Sequence, residues 1–367
     1  MAGAGTSRQR LGWIVAAVVL VLLLGGAGLA LGRLVSDDDP GADPAPAAAS
    51  AAAPASPSPP AGSDIQGPLN ILLVGIDTRV SVPDWQPHAD AVLLLHVPAG
   101  LRSGYLYSLP RDLLVDVPAF DRAGFRGGRM KLTESMSRGA KVAGSTRADP
   151  SQGFDLLAAT VSAYTGIKTF DAGAILTFTG FSRLTDALGG VTLTIDQKVV
   201  SFTSRPDGKP RTLRPGGGGY VGPQATYLPG TRRLVGWQAL DYARQRYTAG
   251  GDYTRQRHHR QLIKALLGEV VRQDLTADPA KLQSVLGALG DTLTVDDAGR
   301  TPVELAYALR GLRPEAMTLV GLPGGSVGRG GGYRGEELRA PGREFLAAVA
   351  ANRVQPFLRE HPELVNR

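Results

Sequence analysis

The chain has 367 residues, 40 basic and 33 acidic side chains, a formal net charge of +7 and no cysteine. That length suits about two ordinary domains or one large α/β domain, and the positive balance points to an anionic partner such as nucleic acid, anionic lipid or a phosphorylated substrate. The missing cysteine excludes disulfides, thiolate nucleophiles and cysteine-ligated metals.

Residues 1–10 read as a short tail carrying Arg8 and Arg10. Leu11–Gly32 follows, 22 residues without a charge, where roughly 20 suffice for a membrane-spanning helix. It exceeds a signal peptide's apolar core, and the Ala47–Ala53 run lies well past its end, so an uncleaved anchor is expected. Two arginines before the span against Arg33 after it favour a cytoplasmic N-terminus, which places the rest outside the cell. Residues 33–67 are Ala, Pro, Ser and Asp with almost no bulky apolar side chain, a spacer unable to bury enough surface to order itself.

The folded part, residues 68–367, opens with Leu69–Ile76, a strand apolar on both faces, which ends in Asp77, Thr78 and Arg79. His88-Ala89-Asp90 precedes a second apolar strand, Ala91–Val97, and Tyr105–Leu109 runs into Pro110-Arg111-Asp112. Carboxylates and arginines thus recur at three successive strand ends, where ligands of open α/β sheets bind. Helical spacing marks Met130–Ser137, Phe154–Tyr164 and Phe181–Leu188; Ala172–Phe178 and Val191–Ile195 read as strands. The polar, glycine-rich run from Asp196 to Gly230 predicts a flap beside the site. Helices are expected at Leu262–Val271, Ala280–Leu289, Val303–Leu312 and Glu344–Val354, and a strand at Met317–Leu322.

Gly236–Gln261 holds five arginines, two acids and no lysine. A short amphipathic helix feeds Arg244-Gln245-Arg246; after the Gly250-Gly251 turn a second helix carries Arg255, Arg257 and Arg260. An extended Arg244–Arg246 segment would aim both guanidinium groups to one side, and i, i+3 spacing would bring Arg257 and Arg260 together. The planar guanidinium fork suits phosphate oxygens, although a solvated basic helix face explains such a pattern equally well in isolation. A nucleophile-elbow match at Gly324–Gly328 and a dinucleotide match at Gly330–Gly335 fail for lack of the required strand context. His258 and His259, adjacent on a helix, give no zinc spacing and read as hydrated surface or phosphate contacts.

Taken in order, Leu69–Arg79, Asp90, Leu109-Pro110-Arg111-Asp112, Lys131-Leu132-Thr133, Gly180-Phe181, Asp186–Val191, Leu234–Leu240, Tyr242–Arg246 and Gly251–Arg255 resemble the LytR–CpsA–Psr family over roughly Pro68–Lys264. The resemblance implies an α/β fold, with a central mixed, largely parallel β-sheet flanked by helices on both faces, preceded by one transmembrane helix. It implies a membrane-anchored, extracytoplasmic, magnesium-dependent enzyme that transfers a cell-wall glycopolymer from a polyprenyl-pyrophosphate carrier to peptidoglycan. Arg111, Arg244 and Arg246 would then be catalytic, with Arg79, Lys131, Arg255, Arg257 and Gln261 binding substrate and Asp77 and Asp90 holding Mg²⁺. Asp252 is grouped with the catalytic residues, but orienting an arginine, accepting the acceptor's proton and capping a helix all stay open for it. The chain departs from the family at His88-Ala89-Asp90, where members usually have Arg-Ser-Asp, and at Lys131-Leu132-Thr133, often Lys-Ile-Asn. Two rivals remain: a polyprenyl-pyrophosphate pyrophosphatase using the same residues, and a non-enzymatic polyanion-binding regulator. No nucleic-acid partner is expected, since no helix-turn-helix or zinc finger is evident and the arginines lie outside the cell.

Overall fold

The computed structural model describes residues 61–77, 85–273, 279–296 and 299–366. The expected membrane span, the spacer up to residue 60 and Arg79 lie outside the described residues. No helix of the described residues is long and apolar enough to cross a membrane.

Seven strands make the central sheet: β1 (Leu69–Asp77), β2 (His88–Val97), β3 (Gly104–Leu109), β4 (Ala172–Thr177), β5 (Leu293–Asp296), β6 (Met317–Val320) and β7 (Val365–Asn366), in the spatial order β5-β4-β1-β2-β3-β6-β7. Only β1–β4 and β3–β6 run parallel; the other four neighbour pairs are antiparallel. The expectation of a largely parallel sheet is therefore corrected to a mixed one with antiparallel pairs in the majority. The cause is connector length: β2 reaches β3 through the short Pro98–Ser103 segment, whereas a parallel return needs a crossover of about a dozen residues or more. β1 is apolar on both faces because helices cover the sheet on both sides, not because its neighbours are parallel.

Period-two alternation divides the core. Ile71 and Leu73 of β1 join one buried cluster with Leu93 and Leu95, while Leu72, Val74 and Ile76 join another with Val92 and Leu94. Helices α1 (Leu132–Gly139) and α2 (Pro150–Thr165) pack on the second face through Leu132, Met136, Phe154 and Leu157. Helices α3 (Phe178–Ala187), α4 (Gly236–Arg244), α5 (Gly251–Gln273), α6 (Pro279–Leu289) and α7 (Pro302–Leu309) cover the first. Helices α8 (Ala340–Ala350) and α9 (Val354–Glu360) return to the second face through Phe345 and Leu358. The single closing helix expected at Glu344–Val354 is thus two helices.

The Asp196–Gly230 segment is more structured than a loose flap. Val199–Val200 pairs with Thr226–Tyr227, and Thr212–Leu213 with Tyr220–Val221. Arg211 ties the outer ladder by donating to the carbonyls of Phe202, Tyr220 and Gly222. The glycine-heavy stretch from Gly324 is a hairpin, Gly324–Val327 against Gly335–Leu338.

Candidate functional site

The site forms at the end of β1, β2 and β3 where the three expected strand-end motifs meet. Between β1 and β2 the register slips: Gly75 pairs with Ala91 and Ile76 with Ala89, leaving Asp90 as a bulged residue. A bulge re-aims a side chain that regular pairing would hold in the sheet. Asp90 meets the Arg111 guanidinium in an ion pair, and Arg111 Nε lies 3.6 Å from Asp112. The Arg111 backbone is fixed where its carbonyl accepts from Thr133 N at 2.8 Å, at the start of α1. Lys131, just before α1, stands 3.5 Å from Asp112 and 4.8 Å over the Tyr333 ring.

Helix α5 brings the next group. Gly250 has φ +83°, and a Cβ there would lie 2.4 Å from Thr254 Oγ1, so only glycine permits this tight entry into the helix. In the first turn Arg255 pairs with Asp252 at 2.6 Å, and Gln256 Nε2 donates to the other Asp252 oxygen at 3.0 Å. Arg255 is buried; that burial lowers its pKa first, then the charges of Asp252 and Asp90 counter, and Arg111 and Arg246 lower it again. Arg246, whose Nη2 is 3.5 Å from Tyr247 Oη, feels both Asp252 and Asp112. Arg111, Arg246, Arg255 and Lys131 therefore share one neighbourhood with Asp90, Asp112 and Asp252. Arg111, Lys131 and Arg255 each have a carboxylate partner, while Arg246 contacts the Tyr247 hydroxyl. Carboxylates interleaved among them relieve the mutual repulsion of like charges.

Gln245 explains how Arg244 and Arg246 both come to face outward. Arg244 ends α4, and Gln245 is extended (φ −71°, ψ 124°) and buried. Its Nε2 donates to Asp241 Oδ1 at 2.9 Å and its Oε1 accepts from Phe202 N at 2.9 Å. Asp241, itself buried, also accepts from Ser201, Ser204 and Tyr227, so the Asp196–Gly230 segment and the arginine segment share one polar anchor. Arg244 lies 4.4 Å over the Phe178 ring. It lines a narrow apolar cavity of about 100 Å³ between the sheet and helices α3 to α5, walled by Leu73, Ala174, Phe181, Leu184 and Leu262. Gly75 and Ala91, which flank the Asp90 bulge, belong to the same wall, so the cavity runs up to the charged site.

Several expected residues go elsewhere. Arg257 pairs with Asp196, and with Arg260 it lines a second cavity away from Arg111. Gln261 is half-buried with its Oε1 unpartnered. His258 is not hydrated surface: it is fully buried, stacked on Tyr242 at 4.2 Å and 3.4 Å from Asp196. Nor is His259, which stands in the wall of the apolar cavity, its pKa held well below the usual value by burial.

Asp77 ends β1 beside His88, and His88 feels the charges of Asp77 and Asp90 together. Among the described residues no group of three or more metal-binding side chains forms. Two hard carboxylate oxygen donors at adjoining strand ends nonetheless suit Mg²⁺, which takes one or two carboxylates and fills its shell with water and phosphate.

Sequence reasoning missed a cluster from the late hairpin. Tyr333 donates to Asp112 and Glu336 at 3.3 and 3.2 Å, and Tyr253 and Ser326 donate to Glu336 at 3.1 and 3.0 Å. The hairpin docks through Glu336 N on the Asp112 carbonyl at 2.7 Å. Tyr333 and Glu336 lie in a glycine-rich run without periodicity, and nothing local marks them.

Compared with known proteins, residues 45–335 match the model of the LytR_cpsA_psr family. The chain is 27% identical to biofilm regulatory protein A of Streptococcus mutans over 269 residues, 69% of this chain and 58% of that one. It is 26% identical to the polyisoprenyl-teichoic acid–peptidoglycan teichoic acid transferase TagU of Enterococcus faecalis over 230 residues, 62% of this chain and 61% of that one. The chain thus spans about three-fifths of the length of these curated relatives. Among solved structures it is similar in fold to protein gbs0355 of Streptococcus agalactiae, at a TM-score of 0.57 and 22% identity, covering 79% of this chain and 88% of that one.

Proposed function

This chain belongs to the LytR_cpsA_psr family, and we propose that it is a membrane-anchored, extracytoplasmic phosphotransferase attaching a cell-wall glycopolymer from a polyprenyl-pyrophosphate carrier to peptidoglycan. The observation that carries this reading is the junction of two unlike sites. A cluster of arginines, suited to a pyrophosphate, opens directly onto an apolar cavity suited to a lipid chain. The TagU relative, whose name states a teichoic acid transfer to peptidoglycan, supports the same class.

In this reading the lipid lies along Leu73, Ala174 and Leu262, and Arg244 at the cavity wall receives the lipid-side phosphate. Arg111, Arg246 and Arg255 grip the phosphate that carries the glycopolymer. An acceptor sugar hydroxyl attacks that phosphorus; the bond from it to the bridging oxygen breaks, and polyprenyl monophosphate leaves with the electron pair. The arginines offset charge as it moves onto the leaving oxygen, a contribution of positioning and electrostatics rather than covalent chemistry. Asp252, held by Arg255 and Gln256, orients the Arg255 fork. Asp90 changes partner: the entering phosphate takes over Arg111, and the freed carboxylate takes the acceptor hydroxyl's proton, while Asp77 with the substrate phosphates would hold Mg²⁺. Mg²⁺, when bound, would neutralise phosphate charge there.

The test is transfer from a polyprenyl-pyrophosphoryl saccharide to peptidoglycan fragments by the full chain. Covalently labelled peptidoglycan is the expected product. Cleavage that delivers the saccharide phosphate only to water would replace transfer with the pyrophosphatase reading, and no cleavage at all would refute both.

A further inference from the structure

Among the described residues, eight large apolar side chains are 36% exposed or more, and six of them fall between Phe202 and Tyr247. The six are Phe202, Leu213, Val221, Leu228, Val235 and Tyr247, with Leu213 and Tyr247 the most open at 65% and 66%. The same stretch holds eight arginines and lysines against two acids, Asp207 and Asp241, and Asp241 is buried in the polar anchor. Single exposed apolar residues need no explanation, but a group of them rimmed by charge marks a partner surface.

Leu213 lies directly opposite Tyr220 in the outer ladder, so the two share one face. The Phe202 ring stands 5.2 Å from Tyr220 and 4.8 Å from Tyr247, and the Arg246 guanidinium lies 5.4 Å over Tyr247. An apolar path thus runs from Leu213 to the edge of the charged site. Lys209 and Arg214, close to Leu213 in the chain, are both exposed. The patch is held out from the body of the fold. A Cβ on Gly208 would lie 3.0 Å from the Trp237 ring, so the turn below the ladder packs closely on α4. Gln245 fixes Phe202 by accepting from its backbone N. The Gly216–Gly218 tip stands clear, since a Cβ there would meet nothing within 4 Å.

We propose that this face docks on the surface of an anionic lipid bilayer. Aromatic rings suit the headgroup layer and leucine the acyl boundary beneath it, while arginine and lysine meet the negative surface potential. A second copy of the chain fits poorly, because two such faces carry like charge. A soluble anionic polymer would answer the arginines but leave Leu213 in water. The anchor expected at Leu11–Gly32 would tether the domain without orienting it, and this face supplies the orientation. Val235 of the patch precedes α4, whose Leu240 and Arg244 line the apolar cavity. Docking therefore holds that cavity close to the bilayer, so that a polyprenyl chain reaches it without crossing much water. The inference rests on the membrane-anchored transferase reading for its purpose, but the docking is measurable on its own.

The chain has no cysteine, so a single introduced one takes a fluorophore at a single place. Full-length Leu213→Cys is labelled and reconstituted into vesicles of phosphatidylcholine alone or mixed with phosphatidylglycerol, and flotation checks insertion. Val142→Cys, exposed in the loop after α1 on the other side of the sheet, is the control. Spin-labelled lipid is expected to quench the Leu213 label about three-fold or more above the Val142 label in the anionic vesicles, with the difference shrinking in high salt. Lys209→Gln combined with Arg214→Gln should lower the ratio of docked to undocked protein about ten-fold. Leu213→Asp should slow transfer from a donor embedded in the bilayer and leave transfer from a detergent-dispersed short-chain donor unchanged. Overturning results are a Leu213 label left unquenched in floated vesicles, equal quenching of the two labels or in the two kinds of vesicle, and an emission change produced only by soluble polyglycerol phosphate. Each would leave the transferase reading standing. A quenched Leu213 label on a chain that never cleaves the donor would refute the transferase and keep the docking face. Protein that floats with neither kind of vesicle would refute the anchor and the face together.

Discussion

Two faces of α5 carry buried arginines five positions apart, and they are wired oppositely. Arg255, 7% exposed, is held by Asp252 and feels Asp90. Arg260, 3% exposed, has Ser108 and Asn366 as its hydrogen-bond partners among the described residues. A paired cation admits an anion only by exchange, so it favours a ligand charged highly enough to outcompete the resident carboxylates. An unpaired one accepts a single charge without displacing anything. In the reading proposed above, the paired side of α5 takes a multiply charged phosphate.

The largest effects are expected at the paired site. Arg111→Ala or Arg255→Ala should cut transfer about 10²–10³-fold, the usual loss on removing one preorganised donor from a transition-state oxyanion. Arg246→Lys keeps the charge but not the fork and should lose less, while circular dichroism stays native. Transfer rates near wild type in all three would reduce the cluster to an ordinary charged surface.

The anchor beneath the arginine segment comes next. Asp241→Ala strands the donors of Ser201, Ser204, Tyr227 and Gln245. It should cost about 2–4 kcal/mol in urea unfolding, as expected for breaking a buried hydrogen-bond network. Transfer by the folded fraction should fall as well, because Arg244 and Arg246 lose their support. A loss under about 1 kcal/mol would show that the network positions nothing.

Much of the paired site was legible because its residues sit at strand ends and helix starts, which hydrophobic periodicity locates: Asp90, Arg111 and Arg255 all fall where the apolar patterns of β1 to β3 and α5 begin or stop. Sheet direction was not legible from that pattern. A strand covered on both faces looks the same whether its neighbours are parallel or antiparallel, and the short Pro98–Ser103 connector was the better guide. Tyr333, Glu336 and Asn366 were invisible because hairpin docking and the chain end bring them in from far along the sequence, with no local spacing to betray the approach. Arg257 misled for the opposite reason: its position on α5 matched its neighbours, but the helix turn aims it at Asp196.

Acid should destabilise the α5 side of the core through His258, whose pKa burial brings down to about 4. The unfolded chain takes up a proton near 6.5 that the fold refuses until about 4, so stability falls as pH drops through that window and is whole above it. The loss should reach at most about 3 kcal/mol near pH 4. His258→Phe, which keeps a ring against Tyr242, should flatten the melting temperature between pH 4 and about 6.5. An unchanged slope would place the acid sensitivity elsewhere.

The smallest effect expected is at the lipid cavity. Ala91→Leu crowds the wall beside Gly75, where even a methyl added to Gly75 would lie 3.1 Å from the Ala91 Cβ. Overpacking of this kind costs about 1–3 kcal/mol, and affinity for long-chain donors should drop more than affinity for short-chain ones. Equal losses for both chain lengths would detach the cavity from lipid binding.

In the proposed function Arg111, Arg246 and Arg255 converge on one pyrophosphate. Calorimetry with the full chain and farnesyl pyrophosphate, against farnesyl monophosphate, tests it most directly. The pyrophosphate is expected to bind about ten-fold or more tighter, with that preference abolished by Arg255→Lys. Equal affinity for the two lipids, or an undiminished preference in the lysine variant, would contradict it.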